Sequence, residues 1–443
     1  MDVLGRSPFC WLEFNENGEL ADDNAPGDVL AMLAQGGIED LVVISHGWKN
    51  TKDDAKKLYG TLWNNTCAAL SQRDPASIAV CGILWPAKAY STDFDDAAVS
   101  AGAHGQTLAA GTSVEPRDLT DAEFSAAIAD FREVFGSRAD ATVDAASKAA
   151  NAPAIDDSNA DPLFASARVA TEAGAISPGD SELQKDAERI LSPGSPQDIL
   201  VGLAEPPTNA TPARGGTRDL GDVVGGLLHG PRAAVARFLN QLTYFEMKKR
   251  AGSIGALLGS SVLPGLRPGR NVRLHLIGHS FGGRLVTAAA SSLPGDPALQ
   301  FFSLTLLQAA FSHNALAKVV EPGTPGAFAN VIGRPIGPIS ITHTHNDRAC
   351  TFWYPLASRL SRDTTAALGD KDDVFGAMGA NGAQKLVTEI TAPDQNGQNF
   401  APQRGKVNGF LADRYIVKTS DCDAHNNVAN PTVGRLIAAV LRS

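Results

Sequence analysis

Val272-Arg273-Leu274-His275-Leu276-Ile277-Gly278-His279-Ser280-Phe281-Gly282-Gly283 is an apolar run that breaks into a glycine-rich turn. Its first six residues include four apolar, mostly branched side chains and predict a short buried strand, while Leu285 to Ala290 beyond it predict a helix. The chain must therefore turn sharply at Gly-His-Ser-Phe-Gly-Gly. A serine at such a turn takes strained backbone angles, and Gly278, Gly282 and Gly283 let strand and helix approach closely. The Ser280 hydroxyl is pushed out above the sheet. The N–H of Phe281, at the start of a helix, points where a developing oxyanion would sit.

Gly-x-Ser-x-Gly alone is a weak signal, but it occurs once in the chain and between the strand and helix patterns that its mechanism needs. On these residues the chain resembles the serine hydrolases of the α/β-hydrolase fold. The resemblance implies a doubly wound, mostly parallel sheet and a Ser-Asp-His triad in that chain order. It implies carboxylic ester hydrolysis, as in esterases and lipases, through an acyl-enzyme intermediate and without a cofactor. Peptidases, amidases and thioesterases use the same triad, and a non-catalytic binding protein on this fold is the competing class.

Towards the N-terminus, Phe9 to Phe14 predicts a first strand closed by the turn cluster Asn15 to Gly18, and Leu41 to Ile44 a strand buried on both faces. The latter ends in His46-Gly47-Trp48, followed by a predicted helix from Asp53 to Gln72. By the resemblance, His46-Gly47-Trp48 is an oxyanion loop in which Trp48 donates its backbone N–H and His46 orients the turn. Ser77 to Trp85 predicts another strand. From Ala87 to Gly230 the composition shifts to Ala, Asp, Ser, Gly and Pro, with helical fragments at Asp121 to Phe135 and Ser181 to Leu191 and a disordered-looking Pro206 to Arg218. The expected organisation is a hydrolase core of residues 1–86 and 231–443 with a large helical, partly disordered cap or lid at 87–230.

Pro231 opens a strongly periodic helix, expected to end near Lys248-Lys249-Arg250 with Gly252 just beyond. Phe302 to Leu307, Ile339 to Thr344 and Arg414 to Thr419 predict three further strands. Asn430-Pro431 caps a last helix with Leu436, Ile437, Val440 and Leu441 on its buried face.

The net charge of −10 argues against a nucleic-acid partner. Residues 91–200 hold 20 acidic against 7 basic residues, a net of −13, so the acidity belongs to the insertion. Apolar helices in the cap favour a small-molecule or lipid ester over a peptide, and its acidity disfavours anionic lipid surfaces and so favours a soluble ester. No signal-like start and no membrane-length apolar run are seen, so a cytoplasmic location is expected, with signal-independent export and oligomeric state left open.

Of nine histidines, four follow Ser280: His313, His343, His345 and His425. His425 alone lies in a loop between the expected last strand and last helix, where the resemblance places the catalytic base. Asp347, just past a strand, is where it places the acid; Glu321, Asp372, Asp373, Asp421 and Asp423 fit less well. His279 is expected to pack against the sheet. Five scattered cysteines give no disulfide scaffold, and no grouping has metal-ligand spacing. Cys350 and Cys422 each stand near a triad candidate, so a bridge between the two loops is conceivable, with two buried free thiols as the favoured alternative.

Overall fold

Branched apolar runs separated by turn-rich segments become the strands β1 (Asp2–Leu4), β2 (Ser7–Glu13), β3 (Asp40–Ser45), β4 (Ile78–Leu84), β5 (Arg273–His279), β6 (Gln300–Leu307), β7 (Ile339–His343) and β8 (Val407–Leu411). A computed structural model describes residues 2–48, 50–71, 73–87, 117–172, 195–204, 228–268, 271–295, 299–320, 323–347, 349–350, 376–386, 399–420 and 422–443. The strands form one eight-stranded sheet in the order β1-β2-β4-β3-β5-β6-β7-β8. Among the described strands, the edge pair β1–β2 alone is antiparallel and the other pairings are parallel.

Helices α1 (Ala25–Leu33) and α2 (Lys52–Ala69) follow β2 and β3. Between β4 and β5 lie α3 (Asp121–Phe135), α4 (Asp140–Ala150), α5 (Asp157–Glu172), α6 (Pro196–Ala204) and α7 (Pro231–Leu257). Then come α8 (Phe281–Ser292) and, after β8, α9 (Pro431–Arg442). Every residue of β3 is buried, and its alternation shows why helices are needed on both faces. Leu41 and Val43 join the core that includes α1, α7 and α8; Val42 and Ile44 join Tyr59, Leu62 and Trp63 of α2 and Val433, Ile437 and Leu441 of α9. The expected α/β architecture with a mostly parallel, doubly covered sheet is present.

Two expectations are corrected. The segment 414–419 is not a strand: Tyr415 and Ile416 donate their N–H groups to the Ala412 carbonyl in a turn, and the edge strand is Val407–Leu411 instead. Its Asn408-Gly409 reads as a turn in sequence, yet the buried Asn408 amide donates to the carbonyls of Ile339, Gln403 and Lys406 and so holds the strand in place. The helix from Pro231 also does not stop at Gly252. It runs to Leu257 and passes into a π-helical turn, Leu258–Val262. A Cβ on Gly255 would lie 2.1 Å from the Leu285 carbonyl oxygen, and one on Gly259 equally close to that of Ala289. These glycines let α7 lie directly on α8. The basic residues meant to mark its end are buried: Arg250 donates to the Pro86 carbonyl, and Lys249 lies 3.8 Å from Glu246.

Helix α3 lies where the sequence predicts it, opened by a Thr120–Glu123 capping box. Phe164 of α5 stacks on Phe238 of α7 at 4.4 Å, so the helices between β4 and β5 share the core that α7 carries to the sheet. The expected helix at Ser181 to Leu191 and the expected disorder at Pro206 to Arg218 lie outside the described residues.

Candidate active site

The carboxyl ends of the parallel strands gather the candidate residues, as expected for an open α/β sheet. Ser280 follows β5 directly and caps α8 with φ 56° and ψ −125°, a conformation that a residue with a side chain seldom adopts. Neighbouring backbone holds it there: its N–H donates to the Leu307 carbonyl (3.1 Å), and its own carbonyl accepts from Gly283 (3.0 Å) and Ala310 (3.1 Å). The flanking glycines are required by contact. A Cβ on Gly278 would come 2.2 Å from the Gly282 carbonyl oxygen, and one on Gly282 2.3 Å from that of Ser45. Gly283 likewise faces Ala309. Phe281 is the first residue of α8, so its N–H has no acceptor within the helix.

The loop after β3 lies against this turn. A Cβ on Gly47 would fall 2.5 Å from the Ser280 Cβ and 3.1 Å from its Oγ, so only glycine lets the loop approach the serine. His46 anchors the loop from beneath. Its ring stacks on Trp85 at 5.6 Å, its N–H meets the Tyr59 hydroxyl (2.7 Å), and that hydroxyl donates to the Ile83 carbonyl. Burial lowers the His46 pKa to about 4, so the ring is neutral. Nδ1 donates to the Gly47 carbonyl at 2.8 Å, leaving Nε2 to accept from the Trp85 N–H. Trp48, half-buried, stands edge-on to Tyr244 (5.8 Å) and Phe281 (6.1 Å), so one aromatic wall spans the loop, the turn and α7.

Asp347, past β7, is fully buried and accepts a 2.7 Å hydrogen bond on Oδ2 from His425 Nδ1. Gln308 Nε2 donates to the same oxygen (3.1 Å), and the Cys350 N–H donates to Oδ1 (3.0 Å). Burial pushes the Asp347 carboxyl upward, but the His425 charge and these donors outweigh it and hold the group below its ordinary value. His425 sits in the loop between β8 and α9, its side chain 13% exposed. Its carbonyl accepts from His279 Nε2 at 2.9 Å, and the two rings lie 4.8 Å apart. His279 therefore does more than pack: it ties the residue before Ser280 to the loop of His425. Burial lowers its pKa to about 3, and its Nδ1 has no partner among the described residues.

Gln308 is the residue that sequence reasoning misses. It follows β6 at φ 45°, is fully buried, and bridges Asp347 to the Gly379 carbonyl. Nothing local in the sequence marks it beyond its place at the end of a central strand.

The other histidines after Ser280 lie elsewhere in the network: His345 pairs with Asp413 (2.9 Å), His313 with Asn381 (3.2 Å), and His343 is buried in β7. Asp423 caps its own loop through the Asn426 N–H. Glu321, Asp372, Asp373 and Asp421 lie outside the described residues.

All five cysteines are free thiols, so no bridge joins Cys350 to Cys422; Cys350 is buried as expected, whereas Cys422 is partly exposed beside Thr419. One grouping invisible in the sequence does form. Donor atoms of Asp347, Cys350 and His425 all lie within 4.8 Å of one another. A separate cavity of about 740 Å³, lined by residues such as Phe124, Ile128, Arg132, Val143 and Arg232, lies among α3, α4 and the start of α7 and includes no triad candidate.

Compared with protein-family models, curated proteins and solved structures, the chain matches none.

Proposed function

We propose that this chain is a serine hydrolase of the α/β-hydrolase type, cleaving carboxylic esters through an acyl-enzyme intermediate. The observation that carries the reading is the 2.7 Å bond from part-buried His425 Nδ1 to fully buried Asp347, joined through His279 to the strained turn that presents Ser280. A buried carboxylate on Nδ1 fixes the tautomer with its lone pair on Nε2, which is what a general base for a serine hydroxyl requires.

In this mechanism the Ser280 hydroxyl passes its proton to His425 Nε2 as Oγ bonds to the substrate carbonyl carbon. The displaced electron pair moves onto the carbonyl oxygen, held by the N–H groups of Phe281 and Trp48. His425 then protonates the departing alkoxide, leaving an acyl-serine. Water repeats the sequence, losing its proton to His425 and releasing the acid and Ser280.

The aromatic wall of Trp48, Tyr244 and Phe281 beside the serine favours an apolar acyl or alcohol group. In this reading the described helices α3 to α6, which pack on α7, belong to the cap. Among the described residues no helix is long and apolar enough to cross a membrane. A fluorophosphonate probe tests the reading, because only an activated serine reacts with it. Stoichiometric labelling of Ser280, lost in Ser280→Ala, is expected; an unlabelled protein would favour a binding role for the same fold.

A further inference from the structure

Beside the proposed base stands a third donor that hydrolysis does not use, the Cys350 thiol. Its Sγ lies 3.9 Å from His425 Nδ1 and contacts the carbonyls of Gln308 and Ala309 at 3.6 and 3.8 Å. With Asp347 this gives one nitrogen, one sulfur and one oxygen donor within 4.8 Å of each other. We propose that Asp347, Cys350 and His425 form a binding site for a divalent ion of the zinc class, and that occupancy switches the site off.

The chemistry of the donors selects the ion. Imidazole, thiolate and carboxylate are the zinc ligand set, and three protein ligands leave a fourth position for water. Ordinary zinc bond lengths put tetrahedral donors roughly 3.3–3.6 Å apart. The observed separations, 2.7 Å from His425 to Asp347 and 3.9 Å from His425 to Cys350, straddle that range. With all three donors within 4.8 Å, side-chain rotations suffice, and of the three residues His425 is the one that reaches solvent, at 13% exposed. Calcium and magnesium, which prefer oxygen donors, are disfavoured.

The inhibitory consequence rests on the hydrolase reading. Coordination takes the Nδ1 lone pair of His425, so the single proton of the neutral ring must sit on Nε2. The thiol loses its proton to solvent on becoming a ligand. Nε2 is then a donor and cannot accept the proton of Ser280, and Asp347 is drawn from the imidazole to the ion.

Equilibrium dialysis of the full chain against zinc chloride tests the site without any assay of turnover. One zinc should be retained by the wild type and by Cys422→Ser, whose thiol is outside the cluster, and bound at least tenfold more weakly by Cys350→Ala and Asp347→Asn. Thermal melting checks that each variant folds, and Cys350→Ser serves if the alanine variant does not. Zinc retained equally by folded Cys350 variants, or not at all by the wild type, overturns the proposal. Inhibition is read as the ratio of ester turnover with and without zinc within each protein. A zinc-loaded wild type that hydrolyses at its full rate overturns the switch. If no ester is turned over at all, the hydrolase reading fails while dialysis still decides the ion site.

Discussion

His279 Nε2 donates to the backbone carbonyl of His425 across 2.9 Å, so the residue before the strained serine holds the loop of the proposed base. The bond joins two segments 146 residues apart, and the two rings lie 4.8 Å from each other. A single neutral hydrogen bond contributes about 1 kcal/mol, but a displacement of the base by about 1 Å can cost on the order of a hundredfold in rate. We expect His279→Ala to lower kcat by roughly tenfold to a hundredfold with little change in KM, and His279→Gln, which keeps a donor, to recover part of it. Equal losses in both variants would assign His279 a packing role only.

Gln308 supplies the second donor to Asp347, and its direction is testable by charge. Gln308→Glu brings a carboxylate against a buried carboxylate, whereas Gln308→Leu merely removes a donor. Steady-state kinetics should show a larger loss of kcat in the glutamate variant at neutral pH, the difference narrowing as the pH falls and the added carboxyl protonates. An identical pH profile for both variants would contradict the placement.

Gly255 offers a sign test of the α7–α8 contact. Alanine is favoured over glycine by about 1 kcal/mol in a helix interior, so an unconstrained Gly255→Ala would stabilise the protein. With its Cβ directed at the Leu285 carbonyl 2.1 Å away, the same change should instead destabilise, by about 1–3 kcal/mol in a denaturant titration.

Acid stability follows from the buried histidines. Burial lowers His46 to about 4, His279 to about 3 and His343 to about 4, from an ordinary 6.5, and takes His275 well below it. Between pH 6.5 and 4 the unfolded chain binds protons that the native state refuses. Stability contributed by the neutral rings is thus complete above 6.5 and lost as the pH falls through that window. Each ring contributes a slope of up to about 1.4 kcal/mol per pH unit. Urea midpoints should decline steadily from pH 6.5 to 4.5, before most carboxylates titrate, and flat midpoints there would contradict the burial of these rings.

The sequence carried the strand–turn–helix at Ser280 plainly because three constraints coincide there: apolar runs, glycine spacing and chain order. Asp347 and His425 were picked out through the resemblance, which places an acid just past a late strand and a base in the loop before the last helix. Elsewhere local pattern and tertiary contact pulled apart. Asn408-Gly409 has the composition of a turn and is a strand because the Asn408 amide finds three carbonyls. Gly252 and its basic neighbours look like a helix terminus, yet α8 lies close enough to carry the helix past them. Gln308 gave no signal, and Cys350 was marked only by its nearness to Asp347 in the chain, because their contacts form only when β6, β7 and the His425 loop meet.

The most direct test of the proposed triad is hydrolysis of p-nitrophenyl esters from acetate to palmitate by the full chain beside Ser280→Ala and His425→Ala. The wild type should turn over at least one acyl length, with both variants reduced by four or more orders of magnitude, in line with the about 10⁶-fold cost of removing a triad serine or histidine. Turnover that survives Ser280→Ala would contradict the assignment of the nucleophile and, with it, the mechanism built on the His425–Asp347 pair.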